Sequence, residues 1–242
     1  MLKRILRSLF SGFTQKRQRA FCIVAATRLT EAEFSQKSLL GRTLRNWPQC
    51  QTKIFFENSR GLSEIYNEAI ATARKNDILI FVHDDVWIEQ ADFFDQIRAG
   101  LKQFDILGIA GNTRRSAQQY AWLFRSARGS EFELDRDHLS GAVLSGNLRR
   151  PTKNIYGPTP AACELLDGVL LVARAGVLKG RGVQFDDRFL FDFYDLDFCR
   201  TCRSHGLKLG TWPLEIFHLS PGVFGSTKWR AAKEVYMNKW GD

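Results

Sequence analysis

The feature that most constrains this chain is a strand–helix alternation over about residues 20–111. "AFCIVAA" (20–26) is a short apolar run with β-branched members and reads as a buried strand. Thr30 and Glu33 form a capping-box pair that opens a helix running to about Arg45. "TKIFFE" (52–57) is a second strand, and residues 62–75 put Leu62, Ile65, Ala69, Ile70 and Ala73 on one helical face. "DILIFVH" (77–83), a helix near 91–103 and "DILGIAG" (105–111) continue the series. Such alternation implies parallel strands joined by right-handed crossovers. The expected fold class is therefore α/β, a mostly parallel, Rossmann-like sheet flanked by helices.

Sheets of this kind bind ligands beyond the carboxyl ends of their strands. Three such ends are polar: "ATR" (26–28), "ENSRG" (57–61) and "HDDV" (83–86). Loops are polar for ordinary reasons, so "ENSRG" alone carries little. His83-Asp84-Asp85 says more, because adjacent carboxylates repel unless solvent, a cation or a metal compensates them.

After Asn112 the pattern changes. Residues 112–160 hold Arg114, Arg115, Arg149, Arg150 and three prolines, with a hairpin expected around 141–156. "LLDGVLLVA" (165–173) reads as a returning strand. Residues 195–205 read as a helix stopped by Gly206, and "LKLGTWPLEIFHLSP" (207–221) as a strand ending near His218. No internal repeat or low-complexity linker appears, so residues 20–242 are expected to form one domain behind a separate segment, 1–19.

Charge divides the chain in the same way. Six of the nine net positive charges lie in residues 1–20, as Lys3, Arg4, Arg7, Lys16, Arg17 and Arg19 with no acid, which leaves +3 for the rest. A body so mildly basic argues against a nucleic-acid partner. In "MLKRILRSLFSGF", Leu2, Ile5, Leu6, Leu9, Phe10 and Phe13 recur at helical spacing opposite the basic residues. That pattern suits an amphipathic helix lying on an anionic membrane surface, and equally a solvated or domain-packed helix. No run approaches the roughly 20 apolar residues of a spanning helix. Five irregularly spaced cysteines point to a reducing compartment. The expected location is cytoplasmic, or peripheral on the cytoplasmic face of a membrane.

The motif order now matters. "FVHDDVWI", "LLDGVLLVAR", "FDFYDLDFCRTCRSHG" and "IFHLSPG" occur in the sequence and approximate spacing of glycosyltransferase 2-like enzymes, which the chain resembles over about residues 20–240. "ENSRGLSEIYNEAI" is similar to one branch of that group, that of a streptomycin-biosynthesis protein. The resemblance implies a GT-A fold and an inverting transfer of sugar from a nucleotide-sugar donor to an acceptor hydroxyl, with the acceptor a glycan or lipid-linked. It also implies Mn2+ or Mg2+ at an Asp-x-Asp signature. Here that signature reads His83-Asp84-Asp85, with His83 in place of the first acid. Asp85 is the implied first metal ligand, His218 matches a late family histidine, and His83 is a further candidate ligand.

The same resemblance makes Asp195 the catalytic base, with Tyr194 standing where relatives carry Glu. Thr27, Glu57, Asn58, Asn67, Asp84 and Asp85 fall on the nucleotide-sugar side. Asp167, Gly168 and Asp197 fall on the acceptor side, Asp197 also being suited to organising the helix start. Two other readings stay open: a non-catalytic nucleotide-sugar- or glycan-binding relative, and a basic nucleic-acid-binding protein. A rival zinc pattern, Cys199, Cys202, His205 and His218, is weakened because the first three would spread around a helix. No phosphate-loop or dinucleotide glycine fingerprint is present.

Overall fold

The computed structural model describes residues 20–127, 130–220, 222 and 224–241. The basic amphipathic segment 1–19 lies outside the described residues. The first half runs β1 (Phe21–Ala26), α1 (Glu31–Lys37), α2 (Leu39–Leu44), β2 (Gln51–Phe55), α3 (Leu62–Thr72), β3 (Ile78–Val82), β4 (Val86–Trp87) and α4 (Phe93–Gly100). Next come β5 (Ile106–Gly108), β6 (Ala110–Asn112), β7 (Phe124–Ala127), β8 (Ser130–Leu134), β9 (Leu139–Asn147), β10 (Arg150–Gly157) and β11 (Ala161–Cys163). The chain closes with β12 (Leu165–Leu166), β13 (Leu170–Arg174), α5 (Ala175–Arg181), α6 (Tyr194–Ser204), β14 (Leu209–Thr211), β15 (Phe217–His218) and α7 (Thr227–Trp240).

The main sheet has the order β11-β14-β5-β13-β3-β1-β2. β1 pairs parallel to both β2 and β3, and β14 pairs parallel to β5. β13 runs antiparallel between β3 and β5, and β11 antiparallel beside β14. Because β13 reverses against both neighbours, β3 and β5 still point the same way. The sheet is therefore mostly parallel in direction, as expected, but the fourth sequence-predicted strand does not sit beside the third. Its central strands are apolar throughout: every residue of β3 is buried. This is the pattern of a sheet covered on both faces.

The capping box at Thr30 forms, with Glu33 answering it. The predicted single helix then breaks at Ser38, whose hydroxyl caps α2 and donates to the Asp84 carbonyl at 2.6 Å. "DILGIAG" also splits. β5 stays in the main sheet, while β6 joins a second sheet, β12-β6-β9-β15-β4. At the crossing, Gly141 has φ +96, and a Cβ there would lie 1.9 Å from the Ile109 carbonyl oxygen, so only glycine fits. The expected hairpin is β9–β10, paired antiparallel. α7 was not expected, although Ser226 caps it and Trp229 and Tyr236 bury one face.

Candidate active site and metal centre

The site follows from register. β3 ends at Val82, and Leu170 at the start of antiparallel β13 pairs with it. Asp167 and Gly168 therefore lie at the same sheet edge as His83, whose N–H donates to the Val169 carbonyl at 3.1 Å. β15 pairs antiparallel with β4, matching His218 to Val86, which brings His218 beside Asp85. The N-terminus of α6 completes the wall with Tyr194 and Asp195. These residues line one cleft of about 1130 Å³, together with Tyr66, Tyr120, Trp122, Tyr156, Phe191 and Trp229.

His83, Asp85 and His218 offer ligand atoms that all lie within 4.8 Å of one another. His218 Nε2 stands 3.3 Å from Asp85 Oδ1. Two ligands about 2.1 Å from one ion stand about 3 Å apart when adjacent in its coordination sphere, so this spacing fits a divalent cation. Burial favours the neutral forms of both groups. For His218 the hydrogen bond and charge of Asp85 outweigh burial and raise the imidazole. For Asp85 burial is again outweighed, here in the downward direction: His218, the Ser220 N–H at 3.1 Å and His83 hold its carboxyl below the usual range. His83 is pushed down to about 4 by burial and then by the His218 charge, against the pull of Asp85. A neutral imidazole is a ligand and an imidazolium is not. His83 is thus held as a neutral donor, and the spacing of the three donor groups fits the metal that the sequence resemblance implied.

Asp195 sits across the Gly168 peptide from this group. Its Oδ2 accepts the Gly168 N–H at 2.9 Å, and its Oδ1 accepts the Leu196 N–H at 2.9 Å. Burial, then the charge of Asp167, pushes its carboxyl up to about 7. That is the range in which a carboxylate works as a proton acceptor near neutral pH. Tyr194 donates its hydroxyl to the Gly168 carbonyl at 2.7 Å. Gly168 is needed for close approach, since a Cβ would lie 2.4 Å from the Tyr194 oxygen and 2.7 Å from Asp195 Cβ. Asp167 lines the cleft, accepts the Val169 N–H at 2.9 Å and is raised by burial.

Five sequence-predicted site residues, Thr27, Glu57, Asn58, Asn67 and Asp197, do not line the cleft. Glu57 is exposed at φ +46. Asn58 closes its own turn, accepting from Arg60 N and donating to Arg60 O. Asn67 spends its amide on the backbone of Phe185 and on Asp187, bracing the loop before α6. Asp197 is fully buried, with Oδ1 taking Trp240 Nε1 at 2.6 Å and Lys239 Nζ at 2.7 Å. It ties α6 to α7 and does not line the cleft. Thr27 is buried just behind the wall, its hydroxyl bonded to Asp84, while Asp84 itself lines the cleft.

Arg60 is paired with Glu64 and Glu68, and Arg114 with Asp135. The zinc pattern disperses too. Cys199 and Cys202 are buried in α6, His205 is exposed, and His218 belongs with Asp85. Sequence reasoning missed Trp229 and Lys228, which α7 brings to the cleft. Ser226 followed by apolar residues at 229, 232 and 236 was the available signal.

This architecture, with a parallel-rich sheet flanked by helices and a cleft at its carboxyl edge, is GT-A-like. The STIV protein A197 is similar in structure at a TM-score of 0.50 and 10% identity, covering 84% of this chain and 86% of that one. GalNAc-T7, solved with UDP, GalNAc and Mn2+, is similar at a TM-score of 0.51 and 12% identity over 90% of this chain. This chain spans about half of that protein, 47% of its length. At such identities the likeness establishes the fold. No protein-family model matches the sequence, and no curated protein does.

Proposed function

We propose that the protein is a metal-assisted, inverting glycosyltransferase that moves a sugar from a nucleoside diphosphate donor to an acceptor hydroxyl. The observation that carries this reading is the meeting, in one cleft, of a His83–Asp85–His218 ligand group and a base-competent carboxylate, Asp195. Asp195 takes the acceptor proton as the acceptor oxygen bonds to the anomeric carbon. The bond from that carbon to the diphosphate oxygen breaks in the same displacement, and the nucleoside diphosphate leaves. A divalent cation held by His83, Asp85 and His218 would stabilise the charge on that leaving group. Asp84 and the end of β1 at Thr27 form the donor side, and Asp167 and Gly168 the acceptor side.

The rim supports an acceptor with an apolar portion. Phe191, Leu219 and Phe224 line the cleft mouth while 60%, 53% and 41% exposed, and Leu190 beside them is 65% exposed. Exposed apolar residues gathered at one place mark a contact surface. This favours a lipid-linked acceptor over a free glycan. Residues 1–19 would hold the enzyme at an anionic, cytoplasmic membrane face where such an acceptor lies.

The test is release of nucleoside diphosphate from a panel of UDP-, GDP-, CDP- and dTDP-sugars with Mn2+. Turnover of one donor that vanishes in Asp85→Ala supports the reading. Tight donor binding with no hydrolysis or transfer, to lipid-linked or soluble acceptors, points to a non-catalytic relative instead.

A further inference from the structure

The two positions where this chain departs from its family pattern, His83 and Tyr194, touch each other: His83 Nε2 stands 3.0 Å from the Tyr194 oxygen. We propose that Tyr194 is a positioning residue which locks His83 in the Nε2–H tautomer, leaving Nδ1 as the nitrogen with a lone pair for a cation, and that the resulting two-imidazole, one-carboxylate set selects Mn2+ over Mg2+.

A tyrosine hydroxyl has one hydrogen. Given to the Gly168 carbonyl at 2.7 Å, it leaves only lone pairs toward His83. His83 Nε2 must then carry the ring hydrogen, and in a neutral imidazole Nδ1 is left as a bare lone pair. The reverse arrangement, with Tyr194 donating to Nε2, strips the Gly168 carbonyl of its bond. It also puts a hydrogen on Nδ1, where it blocks ligation. The first arrangement makes two hydrogen bonds and the second makes one.

Sterics hold the lock in place. A Cβ on residue 168 would collide with the Tyr194 hydroxyl. The Phe191 ring stacks on the His83 ring at 5.8 Å, and the His218 ring meets its edge at 5.7 Å. Hydrogen-bond partners that fix the tautomer of a metal-binding histidine commonly carry a 10–100-fold share of metal affinity. Mn2+ shares the preference of Mg2+ for oxygen, but Mg2+ demands a near-ideal oxygen octahedron and dehydrates reluctantly. Mn2+, the weakest binder of the divalent transition-metal series, still accepts nitrogen, so an imidazole in place of an acid penalises Mg2+ more than Mn2+.

The inference rests on the metal-assisted reading above, but its test uses metal alone. Mn2+ would be titrated into the full chain by electron paramagnetic resonance, with Mg2+ as competitor. Imidazole nitrogen resonances would be read by long-range 15N–1H correlation. Expected are an Nε2–H His83 in the wild type, Mg2+ competing at least about 10-fold more weakly, and a Tyr194→Phe chain that binds Mn2+ about 10–100-fold more weakly with mixed tautomers. An Nδ1–H tautomer in the wild type overturns the proposal, whether or not the variant folds. So does equal binding of the two metals, or unchanged Mn2+ affinity in Tyr194→Phe. Metal binding as expected without any sugar transfer would sink the transferase reading and leave the lock standing.

Discussion

Asp195 is the residue at which chemistry and folding pull in opposite directions. Burial and the Asp167 charge lift its carboxyl from the ordinary 3.8 to about 7. A proton kept in the folded state and lost in the unfolded one makes stability fall as pH rises across that window, so this contribution is complete below about 4 and gone above about 7. Under the proposed mechanism activity runs the other way, because the base must be ionised. kcat/KM should rise through about pH 7 to a plateau, and Asp167→Asn should move that limb to lower pH by removing the neighbouring charge. Asp195→Asn keeps the shape but cannot take the proton. Single-turnover transfer at saturating donor should drop by about 10²–10⁴ with donor affinity nearly unchanged. Wild-type transfer in that variant would assign the base elsewhere.

Much at the residue scale was legible, and what was not has a common cause. His83-Asp84-Asp85 stood out as adjacent acids at a strand end, whereas His218 was reached only through the family resemblance; the fold brings His83, Asp85 and His218 together. Asn67 was misread because what holds it lies at Phe185 and Asp187, far along the chain. Nothing in "LSEIYNEAI" records that contact. The Tyr194–His83 bond was hidden for the same reason.

At the scale of elements, local pattern revealed what local forces decide. β1, β2 and β3 announced themselves by apolar runs and α1 by its capping box. The insertion of antiparallel β13 between β3 and β5 is a pairing across the chain, which no periodicity encodes. α7 shows the energetics of such a tie. Asp197 takes charge-assisted bonds from both Trp240 and Lys239, and Lys239 also reaches Asp186 at 2.7 Å. Asp197→Ala leaves Trp240 Nε1 without its acceptor and Lys239 with one carboxylate, a loss of about 2–4 kcal/mol. For a chain of this size that lowers Tm by roughly 4–16 °C. Asp197→Asn retains an acceptor for Trp240 and should cost less, with the chemical step intact. A thermal melt of Asp197→Ala that overlays the wild type would remove the tie. Because α7 carries Lys228 and Trp229 to the cleft, loosening it should also weaken acceptor binding.

For the whole molecule the decisive asymmetry is electrostatic. A domain with only +3 net charge beyond residue 20 is preceded by a segment with +6 and an apolar stripe. Under the proposed reading the exposed Leu190, Phe191, Leu219 and Phe224 would be a second lipid contact, on the domain itself. The two contributions separate by salt. Each cation near an anionic surface is worth roughly 1 kcal/mol and is screened within a Debye length, while apolar insertion is indifferent to moderate salt. Binding to phosphatidylserine vesicles should therefore be tight at low ionic strength and fall steeply by about 0.5 M salt. Deleting residues 1–19 should abolish the salt-sensitive part and leave turnover on a soluble acceptor unchanged. Replacing Phe191 and Phe224 by serine in the truncated chain should then remove what weak, salt-insensitive binding remains. If the truncated protein sediments with anionic vesicles as well as the full chain does, the N-terminal segment is no anchor, and its six cations need another partner.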